Sequence, residues 1–206
     1  MNAQQAARTL EVIRTLMERT TQYQLLTARA GLAAGTLAGL GALAFLWLDA
    51  KNPWHFGGVW GAVFVGSLLA TCMGTVTRSR QRGERVWSRQ ARTVLLALAP
   101  SLFAALVLSV FFFAQSPDQH LWLWLPGMWM LCYGQGALAT AAYAPAPIRE
   151  LGLAVLLLGG VTLLLGPDAA VWMMGLVFGV GHIGLGTFLL VAERRQRHVR
   201  LHRSVA

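Results

Sequence analysis

Six long apolar runs, separated by short polar segments, dominate the sequence. Each run is close to the ~20 residues that a helix needs to cross the hydrocarbon core of a bilayer. The links between runs are short, and links of this length join neighbouring helices into antiparallel hairpins. The pattern predicts an all-α integral membrane protein whose transmembrane domain, residues 29–192, is a six-transmembrane-helix bundle of three antiparallel hairpins. The predicted spans are roughly 30–49, 56–77, 93–114, 120–142, 148–166 and 169–191.

The two ends of the chain follow a different pattern. In residues 1–28, Leu10, Ile13 and Met17 recur at helical spacing among charged and amide side chains. We expect an N-terminal amphipathic cytoplasmic helix that lies in the headgroup layer, packs under the bundle or docks a partner. Residues 193–206 form an arginine-rich cytoplasmic tail.

Charged residues are sorted between alternate loops. This sorting indicates that the apolar runs are transmembrane helices and not the buried core of a soluble protein. Of 17 Lys and Arg residues, all except Lys51 fall in segments that alternate threading places on one side. Cytoplasmic loops carry such an excess of basic residues, whereas a soluble core has no reason to sort them. We therefore predict a multi-pass protein of the cell inner (plasma) membrane with both termini in the cytoplasm. With 56% hydrophobic and 12% charged residues, an ordinary soluble domain is excluded.

The second and third hairpins share a pattern at an offset of fifty residues. Pro117-Asp118 is followed by Trp122 as Pro167-Asp168 is followed by Trp172, and a Gly-x-Gly pair at 134–136 matches another at 184–186. The matches predict an internal repeat of one hairpin.

Polar side chains within the spans concentrate in the inner halves of the even-numbered ones. A polar group in hydrocarbon is costly unless it faces the bundle interior and finds a partner. Two interpretations stay open: the group binds a ligand near mid-membrane, or its members hydrogen-bond across helices and fix their packing. The candidate residues are His182, Gln135, Tyr133, Cys132 and Thr71.

The sequence contains no motif typical of catalysis, and no acidic residue lies deep within a span. His182 is alone at its depth and cannot supply two-histidine haem ligation, so no cofactor and no metal site is predicted. Glu150, near the start of the fifth span, is interpreted as a first-turn acid that stabilises its helix. We expect that the protein is not an enzyme.

The leading hypothesis is a non-catalytic accessory subunit or signalling regulator that engages a cytoplasmic protein partner through a cationic face. Basic residues near the surface also attract anionic lipid of the bilayer. Nucleic acid is disfavoured as a partner, and a homo-oligomer stays open. The alternatives are a small-solute transporter or channel and, third, a membrane-embedded lipid enzyme. The basic candidates are Arg78, Arg80, Arg82, Arg85, Arg89, Arg194, Arg195 and Arg197.

Overall fold

The computed structural model describes Gln5 and residues 28–49, 51–83, 85–115, 121–143 and 146–205. Within these ranges the chain folds into six helices joined by short turns, and no strand occurs. The predicted all-α bundle is confirmed to this extent, whereas nearly all of the predicted N-terminal amphipathic helix lies outside the described residues. The helices are α1 (Ala28–Ala44), α2 (Pro53–Arg82), α3 (Arg89–Gln115), α4 (Leu125–Ala139, after a 3₁₀ turn at Leu121–Trp124), α5 (Ala146–Leu165) and α6. Helix α6 is continuous through an α-helical segment (Pro167–Met174), a π-helical segment (Gly175–Val180) and a second α-helical segment (Gly181–Val205).

Four of these helices are long and apolar enough to cross a membrane. They span Pro53–Gln81, Arg89–Ala114, Ala146–Leu165 and Pro167–Arg195, which makes the chain a polytopic membrane protein. Helices α1 and α4 are shorter, at 17 and 15 residues. Large apolar side chains of α3 are exposed, with Leu96 and Phe103 each at 68%. Such a surface is stable in lipid but not in water.

Local sequence sets the bounds of α2. Asn52 accepts hydrogen bonds from the backbone N–H groups of Trp54 and His55, and Pro53 occupies the first turn, where a missing N–H costs nothing. The helix ends at Gly83, whose φ of 64° lies in the left-handed region that glycine adopts without strain.

Helix contacts divide the bundle into two groups of three. Helix α1 packs against α2 and α6, whereas α4 packs against α3 and α5. We call the end of the bundle where α1, α3 and α5 finish the Trp-rich end, because Trp47, Trp54 and Trp172 are exposed there. The opposite end is the Arg-rich end.

An aromatic cluster joins the two groups at the Trp-rich end. Phe56 of α2 lies 5.0 Å from the ring of Trp122, which stacks on Phe113 of α3 at 6.0 Å. Trp129 of α4 stacks on Phe56 at 5.8 Å and donates its indole N–H to the Ser109 hydroxyl of α3 at 2.9 Å. Phe56 and Trp122 are fully buried, so this cluster forms the packed core of the protein.

Glycines allow the closest helix contacts within each group. A methyl group added at Gly134 of α4 would lie 2.6 Å from the backbone nitrogen of Leu156 in α5. A methyl group at Gly35 of α1 would lie 2.6 Å from the backbone nitrogen of Ile183 in α6. The backbones therefore touch at α4–α5 and at α1–α6, which is the contact that small residues provide in membranes.

The packing gives the predicted internal repeat no support, because matched positions lie in different surroundings. Trp122 is fully buried, whereas its counterpart Trp172 is 50% exposed. Gly134 is pressed against α5, whereas nothing lies within 4 Å of the position a methyl group would take at Gly184.

Gly134→Ala should destabilise the protein by about 1–3 kcal/mol, because the added methyl group would overlap the backbone of α5. The free energy of unfolding, measured by denaturant titration in mild detergent, tests this. Gly58→Ala is the matched control, since a methyl group at Gly58 of α2 meets nothing within 4 Å. Equal stability of the two variants would show that α4 and α5 do not pack through Gly134.

Candidate functional site

Two of the predicted site residues meet between the two helix groups. The hydroxyl of Tyr133 in α4 and Nε2 of His182 in α6 are joined by a hydrogen bond of 2.8 Å. His182 is the second residue after the π-helical segment of α6, a distortion that the sequence pattern does not signal. This polar contact joins the two helix groups near the middle of the bundle, and the aromatic cluster joins them at the Trp-rich end.

The surroundings of this pair are aromatic. Phe178 meets the Tyr133 ring edge-on at 5.4 Å and lies 5.9 Å from the His182 ring. Nδ1 of His182 is buried near the Phe178 backbone, without the geometry of a regular hydrogen bond. A proton on Nδ1 leaves Nε2 as the acceptor, so that Tyr133 donates. The Tyr133 hydroxyl and Nε2 of His182 satisfy each other, as in a packing contact between helices, whereas Nδ1 has no hydrogen-bond partner among the described residues.

Gln135 does not join this pair. Tyr133 points toward α6, Gly134 lies against the α5 backbone, and Gly136 lies against Leu98 of α3. With a helical turn of 100° per residue, Gln135 projects from the remaining side of α4, away from the bundle centre. Its side chain is exposed and forms no hydrogen bond with any described residue.

The other two candidates have no contact with His182 among the described hydrogen bonds and ring contacts. Thr71 donates its hydroxyl to the carbonyl of Ser67 one turn earlier in α2, at 2.8 Å. Cys132 of α4 is half-buried and free. Among the described hydrogen bonds and ring contacts, the predicted five-residue polar group is therefore reduced to the Tyr133–His182 pair.

The predicted basic residues gather at the Arg-rich end, and one of them is paired within the chain. Nη1 of Arg78 in α2 donates to Oε1 of Glu193 in α6 at 2.7 Å. This ion pair ties α2 to α6 where both helices carry most of their charge. The side chains of Arg82 and Arg197 lie outside the described part of the chain. The exposed members are Arg80, Arg85, Arg89, Arg194 and Arg195.

Sequence reasoning missed one feature, a groove between α5 and α6 with a volume of about 270 Å³. Glu150 lines it, and Glu150 is the fifth residue of α5, beyond the first turn, which holds no acidic residue. The first-turn interpretation of Glu150 is therefore replaced. Within the described ranges, no three His, Cys, Asp or Glu side chains come together as a metal-binding group.

Comparisons with protein-family models, with curated proteins and with solved structures found no significant match for this chain.

Tyr133→Phe should destabilise the protein by about 1–2 kcal/mol, because it leaves Nε2 of His182 without its partner. The free energy of unfolding in detergent measures the loss. Tyr143→Phe, at an exposed position in the turn after α4, is the matched control.

A double-mutant cycle assigns this loss to the contact itself. In a His182→Leu background, Tyr133→Phe should cost about 1 kcal/mol less than in the wild type, since the hydrogen bond is already absent. Additive losses would contradict a direct interaction between the two side chains.

Proposed function

We propose that this protein is a non-catalytic accessory subunit or regulator of a larger membrane assembly. The observation that carries the proposal is the exposed amide of Gln135 on the outer side of α4. Membrane insertion accounts for the arginines at one end of the bundle, but it gives no reason for an amide on a surface that lipid covers.

Free energy favours a partner at this position. An amide transferred into hydrocarbon without a hydrogen bond costs several kcal/mol. A Gln side chain has two N–H donors and a carbonyl acceptor, so a polar side chain on a neighbouring membrane helix removes that cost. Hydrogen bonds of this kind stabilise contacts between membrane helices by roughly 0.6–2 kcal/mol. The outer face of α4, with Gln135 and Ala139 exposed, is therefore the proposed contact with the partner inside the membrane.

The Arg-rich end supplies the second proposed contact. Exposed arginines at the end of α2, the start of α3 and the end of the α6 span form a cationic face. The Arg78–Glu193 ion pair holds α2 and α6 together beneath this face. Such a face attracts acidic protein surfaces and anionic lipid headgroups through the same charge.

The transporter hypothesis has less support. It depended on a polar group at mid-membrane, of which only Tyr133 and His182 are seen to meet among the described residues, and the Tyr133 hydroxyl is paired with Nε2 of His182. The lipid-enzyme hypothesis requires Cys132, Tyr133 and His182 to act together, yet no contact of Cys132 with the other two is among the described hydrogen bonds and ring contacts.

We also propose that all six helices cross the membrane, with the Arg-rich end in the cytoplasm. The 3₁₀ turn at Leu121–Trp124 and helix α4 together measure about 30 Å, the thickness of the hydrocarbon core. The exposed Trp47 and Trp54 at the opposite end suit the outer interface, where indole rings accumulate.

The proposed contact on α4 is tested with a photo-crosslinking amino acid at Ala139, one turn from Gln135, in native membranes. We expect an adduct with a different membrane protein, and we expect Gln135→Leu to remove it, because leucine keeps the volume but not the hydrogen bonds. The same crosslinker at Phe103, an exposed residue of α3, is the control.

Two results would contradict the proposal. An adduct with twice the mass of the chain would indicate a homo-oligomer in place of an accessory subunit. An adduct that survives Gln135→Leu, or that forms equally from position 103, would show that the amide does not direct binding.

The proposed orientation is tested by cysteine labelling in intact cells. In a background with Cys72 and Cys132 replaced by alanine, a cysteine at position 51 should react with a membrane-impermeant maleimide, and one at position 85 should not. Both sites should react after permeabilisation. The reverse pattern in intact cells would invert the topology.

A further inference from the structure

The groove between α5 and α6 opens at the surface that faces lipid, toward the Arg-rich end. Leu151 and Leu185 line it, and so do Gly181 and Gly184, which have no side chains. No atom lies within 4 Å of the position that a methyl group would take at Gly184. Residues 181–188 of α6 border the groove, a length of about 10 Å along the helix. This length suits a lipid headgroup with the first part of one acyl chain.

One wall of this apolar groove holds an acidic group. Glu150 is exposed and forms no ion pair or hydrogen bond with any described residue. The carboxylate of Glu193 at the same end is already paired with Arg78. Glu150 is therefore the one charged side chain among the residues that line the groove, although the exposed Arg149 precedes it in sequence.

The position of Glu150 matches the depth of a lipid headgroup. As the fifth residue of α5, it lies about 6 Å below the start of the helix. Leu151 and Gly181 lie deeper along their helices, whereas Pro147 and Phe188 lie nearer the Arg-rich end. A bound lipid would place its headgroup beside Glu150 and its chain along the glycines of α6.

We propose that this groove binds one phospholipid with a primary ammonium headgroup, phosphatidylethanolamine. The ammonium group carries three N–H donors and a positive charge, and an ionised carboxylate is an acceptor of opposite charge. The quaternary ammonium of phosphatidylcholine carries the charge but no donor. The headgroup of phosphatidylglycerol lacks a cation and is repelled by Glu150. Of these three headgroups, only that of phosphatidylethanolamine supplies both the positive charge and the hydrogen-bond donors.

Native mass spectrometry of the full-length protein in mild detergent tests the proposal. The protein is titrated with phosphatidylethanolamine, phosphatidylcholine and phosphatidylglycerol that have identical acyl chains. We expect one phosphatidylethanolamine to bind about three- to fivefold more tightly than phosphatidylcholine, the range for a charged hydrogen bond at a partly exposed site.

Two variants separate the headgroup contact from the groove itself. Glu150→Gln keeps the shape of the side chain and should remove the preference for phosphatidylethanolamine. Gly184→Phe fills the groove and should reduce binding about tenfold or more, by steric exclusion. Gly61→Phe is the matched control, because Gly61 of α2 is also exposed with nothing within 4 Å of its added methyl group.

The thermal stability of each variant shows whether it is folded, and both substitutions are at exposed positions that should tolerate them. Equal binding of phosphatidylethanolamine and phosphatidylcholine by the wild type would overturn the proposal. Tighter binding of phosphatidylglycerol, a preference for phosphatidylethanolamine unchanged in Glu150→Gln, or binding unchanged in Gly184→Phe would overturn it as well.

Discussion

Direct backbone contact between helices, made possible by glycine, is the constraint on which the rest of this bundle depends. Gly134 brings α4 against α5, and Gly35 brings α1 against α6, at separations where one methyl group would overlap the facing backbone. Lipid chains are as apolar as leucine, so hydrophobic burial does not hold membrane helices together. Close packing supplies dispersion contacts instead. The two glycine contacts, α4 with α5 and α1 with α6, each hold together two helices of one group.

These glycine contacts also decide where the polar side chains of α4 point. Once Gly134 is fixed against α5, the neighbouring Tyr133 is directed to His182 and Gln135 is directed out of the bundle. The same helix therefore joins the two groups by an internal hydrogen bond and presents an amide on its outer side. Because of this one packing contact, Tyr133 has a structural role and Gln135 belongs to the proposed partner contact, although the two residues are only two positions apart in sequence.

The two ends of the bundle are held by different forces. Stacked rings around Phe56 and Trp122 join the groups at the Trp-rich end, whereas the Arg78–Glu193 ion pair joins α2 to α6 at the opposite end. Between α5 and α6, glycines leave a groove beside the unpaired Glu150. The proposed lipid site and the proposed partner contact both occupy places where this chain does not satisfy its own polar groups.

The sequence alone determined the helical class and the approximate bounds of the six helices within the described residues, because apolar runs of membrane length are a local signal. It also identified Tyr133 and His182 as buried polar residues. Only the tertiary structure decided that these two meet, that Gln135 is exposed, that Thr71 bonds within its own helix, and that Glu150 borders a groove. The reason is physical: helical spacing fixes the angle between side chains on one helix, but the side that faces a neighbour depends on which glycines are in contact. That choice depends on contacts between different helices, such as Gly134 with Leu156 and Gly35 with Ile183, and no local pattern records it.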